Sequence, residues 1–124
     1  MTTDGVEGLL IETHNWGRAV AFWKALGYSL EFETDHHSGR MRHSAGGPYL
    51  FVVERPAGTP LKLQPVLAVR DAANFSPPGS GCVIRAFEAQ HWNALEMLLA
   101  DPDGRPLSVQ APLLAGTNKE VRDG

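Results

Sequence analysis

The chain has 124 residues, enough for one domain and too few for two independent hydrophobic cores. Its composition, 43% hydrophobic and 20% charged, is typical of a globular protein, and its net charge of −3 without a basic stripe argues against nucleic acid as a partner. Cys82 is the single cysteine, which excludes an internal disulfide and a multi-cysteine zinc site. The sequence shows no signal-peptide pattern and no long apolar run, so we expect a cytoplasmic, bacterial protein without membrane contact.

The first half predicts a β-α-β-β-β module over about residues 9–54. Residues 9–14 alternate weakly, as a strand does, and Asn15 is suited to cap the helix that follows. Apolar residues then recur at three- and four-residue spacing until Gly27, which predicts a helix with Phe22 and Trp23 in the core. Three further strands are predicted, near 28–35, 40–45 and 49–54.

The second half repeats this order less cleanly. Residues 64–70 are strand-like, and Asp71 stands where Asn15 stood in the first half. Pro77 and Pro78 limit the next helix to one or two turns, because proline removes a donor and clashes with the preceding turn. Three strands are predicted near 82–88, 92–100 and 105–110, with a turn at DPDG and a fraying tail over 111–124.

Two segments carry a family resemblance. Residues 8–28, GLLIETHNWGRAVAFWKALGY, and residues 101–110, DPDGRPLSVQ, resemble the two ends of a vicinal oxygen chelate protein, the superfamily of glyoxalases, bleomycin-resistance proteins and extradiol dioxygenases. The resemblance implies one α+β domain over 1–124, in which two βαβββ modules form a curved mixed sheet around a cleft. The modules would span about 8–58 and 62–111, the second with a shortened helix.

The resemblance also implies where a metal would be held, since the first, fourth, fifth and eighth strands each supply a His, Glu or Gln. The corresponding positions here are Gly8, Phe51 give or take two residues, Gln64 and Ser108. Glycine and phenylalanine offer no side-chain donor, serine is a poor ligand, and one neutral amide cannot hold a divalent ion against water. We therefore expect no metal, no cofactor and no catalytic residue of the family type, with an unusual set built on His43 and Glu12 as the alternative.

Strand alternation, continued in the same register, predicts what lines the cleft instead. The predicted ligand-binding residues are Glu12, His43, Tyr49, Phe51, Gln64, Phe87, Trp92, Ser108 and Gln110. A carboxylate in such a cleft needs a partner or has a raised pKa. For Glu12 the candidate partners are Arg70, Arg85 or a cationic ligand.

These observations favour a metal-independent small-molecule-binding protein of the bleomycin-resistance type. It would sequester an apolar or aromatic compound, with or without a cationic group, for example in antibiotic resistance. We expect it to act as a homodimer. The alternative is a glyoxalase-like lyase or isomerase, or a dioxygenase, with an unusual metal ligand set. A degenerate family member that acts as a subunit or regulator is a third hypothesis.

Overall fold

The computed structural model of the protein describes residues 2–113, which divide into two compact units. The first module is Val6–Pro65. The second module is the rest of the described chain, residues 2–5 and 66–113. Most of the tail predicted to fray lies outside the described residues, while residues 111 and 112 belong to the last strand.

The first module has the predicted β-α-β-β-β order. Its elements are β1 Val6–Thr13, α1 Trp16–Ala25, β2 Tyr28–Glu33, β3 Ser38–His43 and β4 Tyr49–Glu54. The strands lie in the order β2-β3-β4-β1. β1 runs parallel to β4, and the β2–β3 and β3–β4 pairs are antiparallel, so this part of the sheet is mixed.

Helix α1 covers one face of these four strands. The Asn15 side chain accepts a hydrogen bond from the backbone N–H of Arg18 at 3.0 Å, as the sequence predicted for the cap. Val20 enters a buried cluster with core residues of β3 and β4, and Trp23 packs against that cluster. Phe22 is 59% exposed, so the prediction that it packs in the core is wrong. Adjacent helical residues point about 100° apart, and Trp23 takes the inward position.

The second module has a second sheet segment with almost no helix. Its elements are β5 Leu63–Ala68, short 3-10 turns at Ala72–Asn74 and Ser80–Cys82, β6 Val83–Gln90, β7 Ala94–Ala100 and β8 Pro106–Pro112. The strands lie in the order β5-β8-β7-β6, and the module boundary falls within β5. The expected shortening of the second helix is confirmed, because Pro77 and Pro78 lie between the two 3-10 turns.

The core of the second module comes from alternate residues of its strands. Val69, Met97, Leu99, Val109 and Ala111 are buried together. On β8, Ser108 and Gln110 alternate with Val109 and Ala111 and must therefore point to the opposite face. Among the described residues, no helix is long and apolar enough to cross a membrane. Mixed β-strand pairing with a single α-helix in the described chain gives the α+β class that the sequence predicted.

Candidate functional site

The first position at which the family resemblance implies a metal ligand is Gly8, and the ring of Tyr49 fills the space beside it. Gly8 on β1 pairs with Tyr49 on the parallel strand β4. A Cβ atom built on Gly8 would lie 2.3 Å from Tyr49 Cε1 and 2.4 Å from Tyr49 Cζ. Carbon atoms do not approach so closely without a shift of one of them. A ligating side chain cannot start from this position while the ring stays where it is.

The other three implied positions do not supply a metal site either. Phe51 has no donor, and Ser108 donates its hydroxyl hydrogen to Glu96 Oε2 at 2.5 Å. Gln64 is buried, with 9% exposure, but brings one neutral amide. Within residues 2–113, no three His, Cys, Asp or Glu side chains are placed so that they could share a metal ion. The residues present therefore do not fit the metal of the family.

An aromatic surface with an arginine lies on the first module, which we call the open face: Phe32, Arg40, Tyr49 and Phe51. The Arg40 guanidinium stands 4.3 Å from the Tyr49 ring centroid and 5.5 Å from that of Phe32. The rings of Phe32 and Phe51 meet edge to face at 6.2 Å. Leu50 and Val52, which alternate with Tyr49 and Phe51 along β4, are in the core.

A small pocket of about 400 Å³ borders the open face. It is lined by Val6, Glu7, Arg40, Arg42, Gly47, Pro48 and Tyr49. Burial raises the pKa of the Glu7 carboxyl, and the charges of Arg40 and Arg42 oppose that rise. Both arginines also form ion pairs with Glu31, at 3.8 Å and 2.9 Å respectively. The positive charges of this pocket are therefore largely balanced by carboxylates of the same module.

Glu12 is buried, but neither Arg70 nor Arg85 is its partner. Arg55 Nε donates to Glu12 Oε2 at 2.8 Å, and the backbone N–H of Lys62 donates to Oε1 at 3.0 Å. Desolvation acts to raise the pKa of Glu12, but these two hydrogen bonds and the nearby positive charges outweigh it, so the pKa is lowered. Of the two expected outcomes, a partner or a raised pKa, Glu12 shows the first, with a different arginine from those predicted. Glu12 holds the segment that follows β4 against β1.

Two predicted site residues lie on the core side of their strands. His43 meets the Tyr28 ring edge to face at 5.2 Å and approaches Gly27 at the end of α1. It shares a face of β3 with Met41, which is fully buried. Phe87 packs against the core of the second module and against Phe75, with ring centroids 6.1 Å apart. The expectation that His43 and Phe87 share a face with the other predicted residues is wrong.

A connected polar network lies on the second module, opposite its core. We call this surface the polar face: Arg85, Trp92, Glu96, Ser108 and Gln110. Glu96 accepts hydrogen bonds from Arg85 Nη2 at 2.8 Å, Ser108 Oγ at 2.5 Å and Gln110 Nε2 at 3.3 Å. Its side chain is 13% exposed. A carboxylate this deep needs such donors, because an unpaired buried charge is costly.

The network reaches the surface at Trp92 and is incomplete at Arg85. Trp92 Nε1 donates to Gln110 Oε1 at 3.3 Å, while the tryptophan remains 46% exposed. Arg85 Nε is buried and has no hydrogen-bond acceptor, although Glu88 Oε1 lies within ion-pair distance at 3.7 Å. The strand register shifts between Arg85 and Glu88 of β6, so that Glu88 pairs with Glu96 on β7 while Arg85 reaches the same Glu96 through its side chain.

Glu96 and Arg40 were not among the residues predicted from the sequence, and Arg85 was named only as a candidate partner of Glu12. A signal for Glu96 existed, because it is the single charged residue within the apolar strand ALEMLLA. A charged residue inside such a strand must face solvent or meet a partner. Arg85 and Arg40 gave a weaker signal, since charged residues commonly alternate with apolar ones in half-exposed strands.

Comparison with solved structures identifies the fold. A methylmalonyl-CoA epimerase from Mycobacterium tuberculosis matches 94% of this chain and 93% of its own at 13% identity, with a TM-score of 0.68. A glyoxalase/bleomycin resistance protein/dioxygenase superfamily member from Vibrio splendidus 12B01 matches 84% of this chain and 96% of its own at 14% identity, with a TM-score of 0.61. No family model and no curated protein matches the sequence. The chain therefore has the vicinal oxygen chelate fold, as predicted, while similarity at this identity does not carry an activity over.

Substitution of Gly8 tests the close approach of Tyr49. We expect Gly8→Ala to lower the free energy of unfolding by about 1–3 kcal/mol, because the new methyl group forces the ring or the strand to shift. Urea unfolding measures the change. Gly17→Ala is the control: its nearest neighbour is 3.8 Å from the added Cβ, and alanine favours the helix by about 1 kcal/mol. Equal effects of the two substitutions would contradict the close approach.

Removal of Arg55 tests the role of Glu12. Because the folded-state pKa of Glu12 is lowered, the pair stabilises the fold above the ordinary value of 4.5, and that contribution is lost as the pH falls through the lowered pKa. We expect Arg55→Met to cost about 1–3 kcal/mol at neutral pH and progressively less in acid. Arg42→Met is the control, since its partner Glu31 is 38% exposed against 6% for Glu12. A smaller loss for Arg55→Met than for Arg42→Met would refute this role.

Proposed function

We propose that the protein is a metal-independent binder of small aromatic molecules, of the bleomycin-resistance type, which sequesters its ligand and does not transform it. The observation that carries the proposal is the Glu96 network of the polar face. Ser108 stands at the last position where the family resemblance implies a ligand to the metal. Its hydroxyl group instead fixes a neighbouring carboxylate. Supporting this, Gly8 and Phe51 supply no donor at two of the other implied positions.

The network supplies the polar part of a binding surface. Three donors hold the Glu96 carboxylate in place, so little side-chain entropy is lost when a ligand arrives. Trp92 lies at the exposed end of the same network, joined to it through Gln110. Stacking on its ring adds about 0.5–1.5 kcal/mol beyond the area buried. A flat molecule with hydrogen-bonding groups at one edge matches both features.

The charge of this surface favours a ligand with a basic group. Arg85 contributes one positive charge, and Glu88 and Glu96 contribute one negative charge each, so these three residues together carry −1. A cationic group near Glu96 compensates that charge, whereas a ligand carboxylate is repelled. Hydrogen bonds to a charged partner are worth about 1.5–3 kcal/mol each. We therefore propose that an aromatic compound with an alkylammonium group is preferred over an aromatic acid of the same size.

The open face of the first module has a related chemistry without the negative charge. Phe32 is 46% exposed, and Phe51 lies against it edge to face. One face of the Tyr49 ring already contacts the Arg40 guanidinium. This surface offers aromatic contact area and no unbalanced carboxylate. We propose that Phe51, with the exposed Phe32 beside it, offers apolar contacts on this module by itself, while Tyr49, which is 8% exposed, supports the Arg40 guanidinium.

A thermal-shift screen tests the proposal directly. The panel consists of aromatic compounds of matched size that carry an alkylamine, an amide or a carboxylate. We expect the amines to raise the melting temperature most, because a ligand at 100 times its dissociation constant adds about 2.7 kcal/mol to stability. Trp92→Ala should reduce the shift for all three classes. Glu96→Gln should remove the preference for amines.

The control is Ile84→Ala, which deletes another exposed apolar side chain of the second module, with 56% exposure against 46% for Trp92. It should leave the shifts unchanged. If no compound stabilises the wild type more than the Trp92→Ala variant, the polar face is not the binding surface. A preference for amines that survives Glu96→Gln would show that Glu96 does not set the charge selectivity.

A further inference from the structure

An apolar pocket of about 730 Å³ lies in the second module, on the core side of its strands. Its floor is formed by Leu99 and Val109, which are 6% and 0% exposed. The wall opposite β7 and β8 is the loop that carries the second 3-10 turn. The full lining is Thr2, Thr3, Leu67, Phe75, Ser76, Pro78, Gly81, Cys82, Leu99, Ala100, Asp101, Pro102, Leu107 and Val109.

The pocket exists because this module lacks a full helix. In the first module, the ten-residue α1 lies on the equivalent face and buries Val20 there. In the second module, Asp71 caps a turn of three residues, and Pro77 and Pro78 prevent its continuation. The chain from Phe75 to Cys82 therefore passes over the sheet as a loop. A loop of this kind has no regular apolar stripe with which to fill the space above Leu99 and Val109.

The lining specifies the class of ligand. A volume of about 730 Å³ lies within the range of small-molecule pockets, about 300–1,000 Å³. Asp101 is the charged residue of the lining, and its carboxylate forms an ion pair with Arg105, whose Nε lies 3.1 Å from Oδ2 and whose Nη2 also pairs with Asp103. Asp101 Oδ1 also accepts hydrogen bonds from the backbone N–H groups of Asp103 and Arg105. The single charged side chain of the lining thus has its partners within the protein, and the other lining residues are uncharged, so a neutral apolar molecule is favoured.

This pocket and the polar face lie on opposite sides of the same strands. Leu107 and Val109 line the pocket, whereas Ser108 between them bonds Glu96 on the other side. We propose that the pocket is a second ligand site, which binds a neutral apolar molecule independently of the polar face. Occupancy also buries apolar surface that the missing helix would otherwise cover.

The neutral fluorescent probe N-phenyl-1-naphthylamine tests the proposal on the full chain. Saturable binding of one probe per chain is expected, with increased fluorescence. Cys82, the single cysteine of the sequence, lines the pocket and reports occupancy. Its half-buried thiol should be alkylated by iodoacetamide more slowly when the probe is bound. The protection should follow the same concentration dependence as the fluorescence.

Two glycines provide a matched pair of variants. Gly81 lines the pocket, and Gly79 does not; a Cβ added at either position meets no atom within 4 Å, and neither has a positive φ. Gly81→Phe places a ring at the wall of the pocket and should weaken probe binding about tenfold or more. Gly79→Phe should bind as the wild type does. Both variants should keep the wild-type response to the alkylamine compounds of the polar-face screen.

Four results overturn the proposal. Probe binding that is not saturable, or that is equal in Gly81→Phe and Gly79→Phe, shows that the probe binds elsewhere. A thiol that resists alkylation without the probe, together with no probe binding, shows that protein covers the pocket. A dimer that dissociates in Gly81→Phe but not in Gly79→Phe, measured by sedimentation, assigns the pocket to a second copy of the chain.

Discussion

The close approach of the Tyr49 ring to the Gly8 backbone is the constraint on which the first module depends. The parallel pairing of β1 and β4 sets these two residues side by side, and only a residue without a Cβ leaves room for the ring. The ring in turn supports the Arg40 guanidinium at 4.3 Å, which orders the open face. Gly8 therefore has no side chain to bind a metal, and the Tyr49 ring occupies the space that such a side chain would need.

In the second module, the implied ligand position is occupied by a residue that bonds a neighbouring carboxylate. Ser108 cannot replace a ligating carboxylate, but a carboxylate is present one strand away, at Glu96 on β7. Arg85, Ser108 and Gln110 satisfy it within the protein, so the charge is held without a metal ion. The core side of the same strands shows the opposite feature: apolar side chains that no full helix covers. The two sides of this sheet therefore favour different ligands, one polar and aromatic, the other neutral and apolar.

Local sequence signals were enough to predict the order of the helices and strands. Asn15 and Asp71 cap turns as predicted, Pro77 and Pro78 shorten the second helix, and the resemblance of residues 8–28 and 101–110 led to the correct fold. Side-chain partners were harder to predict, because they depend on which strands become neighbours. Glu12 pairs with Arg55 through the segment after β4, and not with Arg70 or Arg85. Glu96 was missed because its three partners come from β6 and β8. His43 and Phe87 were placed on the wrong face because alternation fixes a face only once one residue of the strand is anchored.

The most direct test of metal independence is the metal content of the purified protein. The full chain is dialysed against nickel, zinc, manganese and iron(II) in turn, and bound metal is measured by inductively coupled plasma mass spectrometry. Because Gly8 and Phe51 have no donor and Ser108 is bonded to Glu96, we expect far less than one ion per chain for every metal. One tightly bound ion per chain, lost in Gln64→Ala or Glu12→Ala, would contradict the account and favour an enzyme with an unusual ligand set.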